Sequence, residues 1–209
     1  SSASWNSISG NSSDRLKFKR IKSTDVLATV LAAEKTAGGN TKYLLNSETL
    51  YEINGTINVD LPIDLNNAYI AGLDSGDDKL VKTSGDLFVG STGGSIRVVT
   101  LTASAGKVFN LVAGSGQSII IRDAIVAGSS QVGNLENFAL TFMSIVQFAG
   151  NANGIVYKNI NKLLLSNMGW FGNNSGTFEK VEGTFDLIQK TGGFLEVTGD
   201  KIGFDVSAN

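Results

Sequence analysis

Cysteine and histidine are both missing from the 209 residues, and proline occurs once. Without cysteine there is no disulfide and no thiolate metal site, and the redox compartment stays open. Without histidine the commonest general base and metal ligand are gone, and with them every Ser-His-Asp and Cys-His arrangement. A single proline beside 25 glycines points to corners made by residues that tolerate unusual backbone angles, as tight turns between short strands require. An all-β chain is expected.

Charge of either sign is scarce: 17 Lys and Arg against 19 Asp and Glu leave a net charge of −2. No global field would draw the chain to nucleic acid or to an anionic membrane. The longest apolar runs, such as Ile119–Ile121 and Leu163–Leu165, fall far short of the ~20 residues of a membrane-spanning helix. Membrane insertion and nucleic-acid binding are therefore not expected. The Gly-containing stretch Ala113–Gln117 lacks the lysine and the helix of a phosphate-binding loop, and no cofactor is expected. The chain opens on Ser1 with no basic and apolar export segment behind it, as in a processed or partial chain.

Three segments follow one another. Residues 1–22 begin with a Ser- and Asn-rich stretch to Asn11, which reads either as a docking arm or as an unstructured tail. Leu16 and Phe18 then alternate with Arg15, Lys17 and Lys19, the pattern of an edge strand whose lysines discourage further pairing. Across 23–38, Ser23-Thr24-Asp25 precede Val26, Leu27, Val30, Leu31 and Glu34 at helical spacing, and a helix ending at Ala37-Gly38-Gly39 is expected. From 41 to 209 the helical period disappears, and short apolar runs alternate with Gly, Asn, Ser and Asp.

Those runs recur. Ile96, Ile119, Leu140, Leu163 and Phe185 are spaced by 23, 21, 23 and 22 residues, each followed two residues on by Val98, Ile121, Phe142, Leu165 and Leu187. A second series, Leu87, Phe109, Val132, Ile155 and Phe178, keeps spacings of 22, 23, 23 and 23. Periods in this range mark stacked units that bury a shared column. Each repeat is too short for a long helix and holds two or three strand-like runs, so a single-stranded right-handed parallel β-helix with coils of about 22 residues is expected. Both series are assigned to its core. A leucine-rich repeat is the alternative of similar period, but the Leu and Asn framework of Asn161–Asn167 does not return. The helix would cap the N-terminal end. The C-terminal end has no matching cap in Ile202–Asn209, so another chain or a further segment is expected to cover it.

The cap helix, the strand Leu50–Val59, the run Tyr69–Asp74 and coils such as Val108–Leu111 resemble pectate-lyase-like β-helix proteins of bacteriophage virions, over roughly Ser23 to Val206. The resemblance implies a tail-spike, tail-fibre or head-fibre component: a homotrimer on the particle surface, joined to other virion proteins through its N-terminal arm and facing a host surface glycan. It carries no catalytic motif. A polysaccharide-cleaving lyase or glycoside hydrolase is the runner-up, with Asp123, Glu179, Glu182, Asp186 and Glu196 as outward carboxylates and Asp74, Asp77 and Asp78 near Lys79 as a calcium-type cluster. Solvated charge and a Gly/Asp turn are the simpler readings of these two groups. Strand alternation would put Arg122 and Asp123 on opposite faces. A bacterial surface adhesin is the third reading, and Trp170, beside Phe171, with Tyr157 is the candidate carbohydrate platform.

Overall fold

A computed structural model describes residues 17–209. The chain is an all-β parallel solenoid of about seven turns, roughly 24 residues each, with two short helices. Every turn contributes up to three short strands, which stack into three faces.

The first face runs through Lys17–Lys22, Thr49–Asn54, Tyr69–Ala71, Gly94–Arg97, the first halves of Ser118–Ala127 and Leu140–Ala149, then Lys162–Ser166 and Leu187–Thr191. The second runs through Thr56–Asn58, Lys79–Lys82, Thr100–Ala103, the second halves of the two long strands, Gly169–Trp170 and Phe194–Leu195. Because two strands bend through the corner unbroken, these faces form one 13-stranded sheet. The third face is a separate sheet of 8 strands, from Tyr43–Leu44 to Ile202–Ala208.

Register corrects the first expected column. Ile96 pairs with Ile121, Ile121 with Met143, Met143 with Leu165 and Leu165 with Lys190, steps of 25, 22, 22 and 25 residues. A neighbouring column joins Gly94, Ile119, Thr141, Leu163 and Ile188. Leu140 and Phe142 point outward, with Thr141 and Met143 buried between and beside them. Leu187 is likewise outward and 44% exposed, and Phe185 lies at the corner before its strand, only partly buried. The second series is buried throughout, but register links Phe88, Phe109, Gly133, Ile155 and Glu179. Leu87, Val132 and Phe178 precede that column by one residue because two consecutive residues turn inward here. Glycine is needed at 133: φ is 124° and a Cβ would meet the Phe109 carbonyl.

Flat rings fill the column and stack with the coils. Phe148 and Trp170 lie 3.9 Å apart, Trp170 and Phe178 5.3 Å, and Phe88 and Phe109 5.8 Å between centroids. Offset stacking of this kind adds to the burial of large apolar areas. At one corner the stack is polar. Buried Ser129, Asn151 and Asn174 occupy successive coils, and Asn151 accepts from the Ser129 N–H while donating to the Val126 carbonyl and to Asn174 Oδ1, each near 3.0 Å. Turn backbone groups that would be orphaned inside the column are thereby satisfied.

The strand Lys17–Lys22 belongs to the solenoid, paired in parallel with Thr49–Asn54. Its phase differs from the expectation: Phe18 is 55% exposed beneath the Arg20 guanidinium, while Lys19 turns inward. Arg15, Leu16 and the arm before them lie outside the described residues. The expected cap helix is two short ones, Leu27–Val30 and Ala32–Ala37, broken at Leu31. Leu27, Leu31 and Glu34 face the column, whereas Val26 is the exposed N-cap and makes no side-chain cap. Asp25 instead accepts the Lys22 N–H at 2.8 Å. Among the described residues no helix covers the other end.

Candidate interaction surface

The carbohydrate platform expected from sequence is not at the surface. Trp170 and Tyr157 are fully buried, because Trp170 stands in the inward column between Phe148 and Leu195, and Tyr157 between Leu135 and Val181. Exposed aromatics in this region are Phe171 and Phe194, packed edge to face at 5.1 Å.

The carboxylates do not assemble either. Glu179 is buried, not solvated: Oε2 is 2.7 Å from Lys190 Nζ, and Oε1 accepts the Tyr157 hydroxyl at 2.9 Å. Burial pushes its carboxyl up, with Lys190, Tyr157 and Trp170 opposing. Glu182 pairs with Lys180 at 2.9 Å, Glu196 accepts the Gly172 N–H at 2.7 Å, and Asp186 is exposed. Asp78 clips the turn before it, accepting the N–H groups of Gly55, Leu73 and Asp74 at 2.7 to 2.9 Å. Burial alone would raise its carboxyl, but these three donors outweigh it and hold it below the usual range. Asp74 and Asp77 belong to the same Gly/Asp turn, and among the described residues no group of three acidic side chains is placed to hold a metal. Asp123, with φ of 51°, sits in the corner itself, so strand alternation fails there and both it and Arg122 are exposed.

What the coils do assemble is an apolar row on the outside of the first face. Phe18, Leu50, Tyr69, Ser95, Ile120, Phe142, Leu164 and Gln189 are register partners, one per coil. Six of these eight are large and apolar or aromatic. Leu140 and Leu187 flank the row two residues earlier in their strands, and Phe142, Leu164, Ser166 and Gln189 line a shallow cleft of about 220 Å³. The row is open: Phe18 is 55% and Tyr69 40% exposed, while Leu50 is half-buried between them and Ile120, Phe142 and Leu164 are half-buried in consecutive coils. Ser95 interrupts the row, and Arg20, Glu52, Arg97 and Arg122 stand in the outward column two residues on, so the apolar surface is a narrow strip rather than a broad patch; exposed apolar surface of this kind is a candidate interaction site.

The outer third face shows the contrast. There the register row is Asn110, Asn134, Val156, Lys180 and Asp205, beside the ion pairs Lys158–Glu136 and Lys180–Glu182. That surface is built for water, as one-sided sheets usually are.

The sequence held a signal for the apolar row that the two-residue spacing alone does not use. A strand with one wet face alternates, whereas Ile119-Ile120-Ile121 and Leu163-Leu164-Leu165 are apolar without a break, as in strands covered on both faces.

Fold and surface thus define a parallel β-solenoid with a largely apolar row on one outer face. No known protein family matches the chain, and neither a curated protein nor a solved structure does.

Proposed function

We propose that the chain is a structural component of a bacteriophage particle, a slender fibre or spike element that decorates the virion or meets the host surface as a homotrimer. The observation that carries this reading is the largely apolar row along the first face, six of its eight positions, which suits lengthwise packing of like solenoids. Seven parallel steps at ~4.8 Å make it about 34 Å long. A partner must be elongated and present the same repeat to meet every coil, and a second copy does both. The small net charge of −2 opposes such packing only weakly. Phe171 and Phe194 are the aromatic surface with which a host glycan would be met.

The polysaccharide-cleaving alternative asks for two free carboxylates about 5 to 10 Å apart across a groove. Glu179, Glu182 and Glu196 are each already engaged, the first inside the core, whereas Asp123 and Asp186 are exposed. Engagement of three of the five candidates favours the structural reading.

Light scattering on the full chain tests it, together with Phe142→Glu/Leu164→Glu. A trimer that this variant converts to a folded monomer supports the proposal. A monomeric parent chain at high concentration overturns it.

A further inference from the structure

The corner beside the apolar row is turned in the same way by five successive coils, each with one residue in the left-handed region: Val98, Asp123, Ile145, Asn167 and Gly192, with φ of 56°, 51°, 55°, 53° and 64°. Asp, Asn and Gly are the residues such a position accepts. Valine and isoleucine are the residues it least accepts, since both branches at Cβ crowd the following carbonyl. The contrast holds across the described residues: of nine non-glycine residues with positive φ, seven are Asn or Asp, and the other two are Val98 and Ile145. At the corner entering the first face, Asn137, Asn159 and Gly183 take the equivalent places.

Ile145 repays little of this strain inside the fold, and Val98 only part of it. Ile145 is 49% exposed and Val98 half-buried, and neither belongs to the buried core. Strain kept at an exposed position is the mark of a residue held for contact. Both lie three residues after the register row of their coils, Val98 after Ser95, where the row is polar, and Ile145 after Phe142, separated from it by the outward column of Arg97, Arg122 and Ser144 and from each other by Asp123.

We infer that Val98 and Ile145 extend the self-association surface around this corner, so that a second copy of the chain seats against the first face and the corner together. The inference rests on the homo-oligomeric reading above. Area favours it: a strip about 34 Å long and ~14 Å wide, three outward positions at ~6.8 Å, covers roughly 480 Å². Val98 and Ile145, one coil each at ~4.8 by ~6.8 Å, add roughly 65 Å² around the corner, and the resulting strip of roughly 550 Å² per partner, about 1,100 Å² in all, just clears the ~1,000 Å² expected of a specific interface.

The experiment compares the full chain with Val98→Asn, Ile145→Asn and the double variant. Association is read by light scattering over a dilution series, and thermal unfolding is read at a dilution where the copies are separate. Asparagine relieves the corner, so the expected melting temperature of the separate chain rises by about 2–4 °C per substitution. The concentration of half-assembly is expected to rise about tenfold or more. A stabilised chain that assembles as before overturns the corner's role and leaves the homo-oligomer standing. A lowered melting temperature overturns it too, since the two side chains would then serve the fold. A parent chain that never assembles overturns the homo-oligomer, and the corner's role with it.

Discussion

Lys190 Nζ lies 2.7 Å from Glu179 Oε2 at one end of the column, and Lys19 Nζ lies 2.7 Å from Glu34 Oε1 at the other. Each glutamate is buried and accepts a tyrosine hydroxyl at 2.9 Å, from Tyr157 and Tyr51 respectively. Lys190 occupies the inward position that Ile121, Met143 and Leu165 fill in earlier coils. Its stem continues the apolar column while its ammonium reaches the carboxylate, a division of labour that long cations allow. A buried pair is costly to break from one side, because the remaining charge is stranded. Lys190→Met is therefore expected to cost about 3 kcal/mol, and adding Glu179→Gln should restore most of it. Urea unfolding of the two single variants and the double measures this. Additive losses would show that the pair is not coupled.

The two glutamates should respond to pH with opposite sign. Burial raises the Glu179 carboxyl above its unfolded value despite Lys190 and Tyr157, so its favourable contribution is fully present below about pH 4.3 and is lost as pH rises through the folded value. For Glu34, burial alone would raise the carboxyl, but the bond from Lys19, the backbone N–H and the Tyr51 hydroxyl outweigh it and hold it low. Its contribution is present above about pH 4.3 and is lost as pH falls through the folded value. Between about pH 3 and 7, Glu34→Gln should flatten the gain in stability towards neutrality and Glu179→Gln should steepen it. Slopes that change in the same direction would refute the assignment.

Much of the solenoid was legible because stacking repeats one pattern. The period, the short strands and the small-residue corners all follow from periodicity in apolar residues. Which side of the sheet each apolar residue faces was not legible. Leu140 and Phe142 match Ile119 and Ile121 in type, yet the latter are inside and the former outside. With an apolar outer face, alternation cannot distinguish in from out, and coils of 22 to 25 residues slip the count. Trp170 and Tyr157 read as outward from the sequence for the same reason. Glu179 reads from the sequence as an outward carboxylate, and its burial against Lys190 is not legible there, because charged residues at strand positions are ordinarily solvated.

Asn151 separates hydrogen bonding from packing in the column. Asn151→Asp keeps the shape, but the carboxylate cannot donate to the Val126 carbonyl or to Asn174 Oδ1, and it faces both acceptors. Inside the fold such a mismatch costs about 3 kcal/mol. Part of the loss should return on acidification, since a protonated carboxyl regains one donor. Urea unfolding near neutrality and near about pH 4 gives the comparison. Equal losses at both would point to packing as the cause.

Ile120 and Ile121 test the two faces of one strand with one residue type. Ile121 is fully buried between Ile96 and Met143, and Ile120 lies outside between Ser95 and Phe142. Truncating the first leaves a cavity, so Ile121→Ala is expected to cost about 2–5 kcal/mol in the separate chain. Ile120→Ala removes a half-buried group and should cost under about 1 kcal/mol there. Association should rank them the other way, with Ile120→Ala raising the half-assembly concentration at a temperature where both variants are folded. Urea unfolding and light scattering on the same samples decide it. If Ile120→Ala destabilises the separate chain as much as Ile121→Ala, the row belongs to the fold; if it does so little and assembly is unmoved, the partner sits elsewhere.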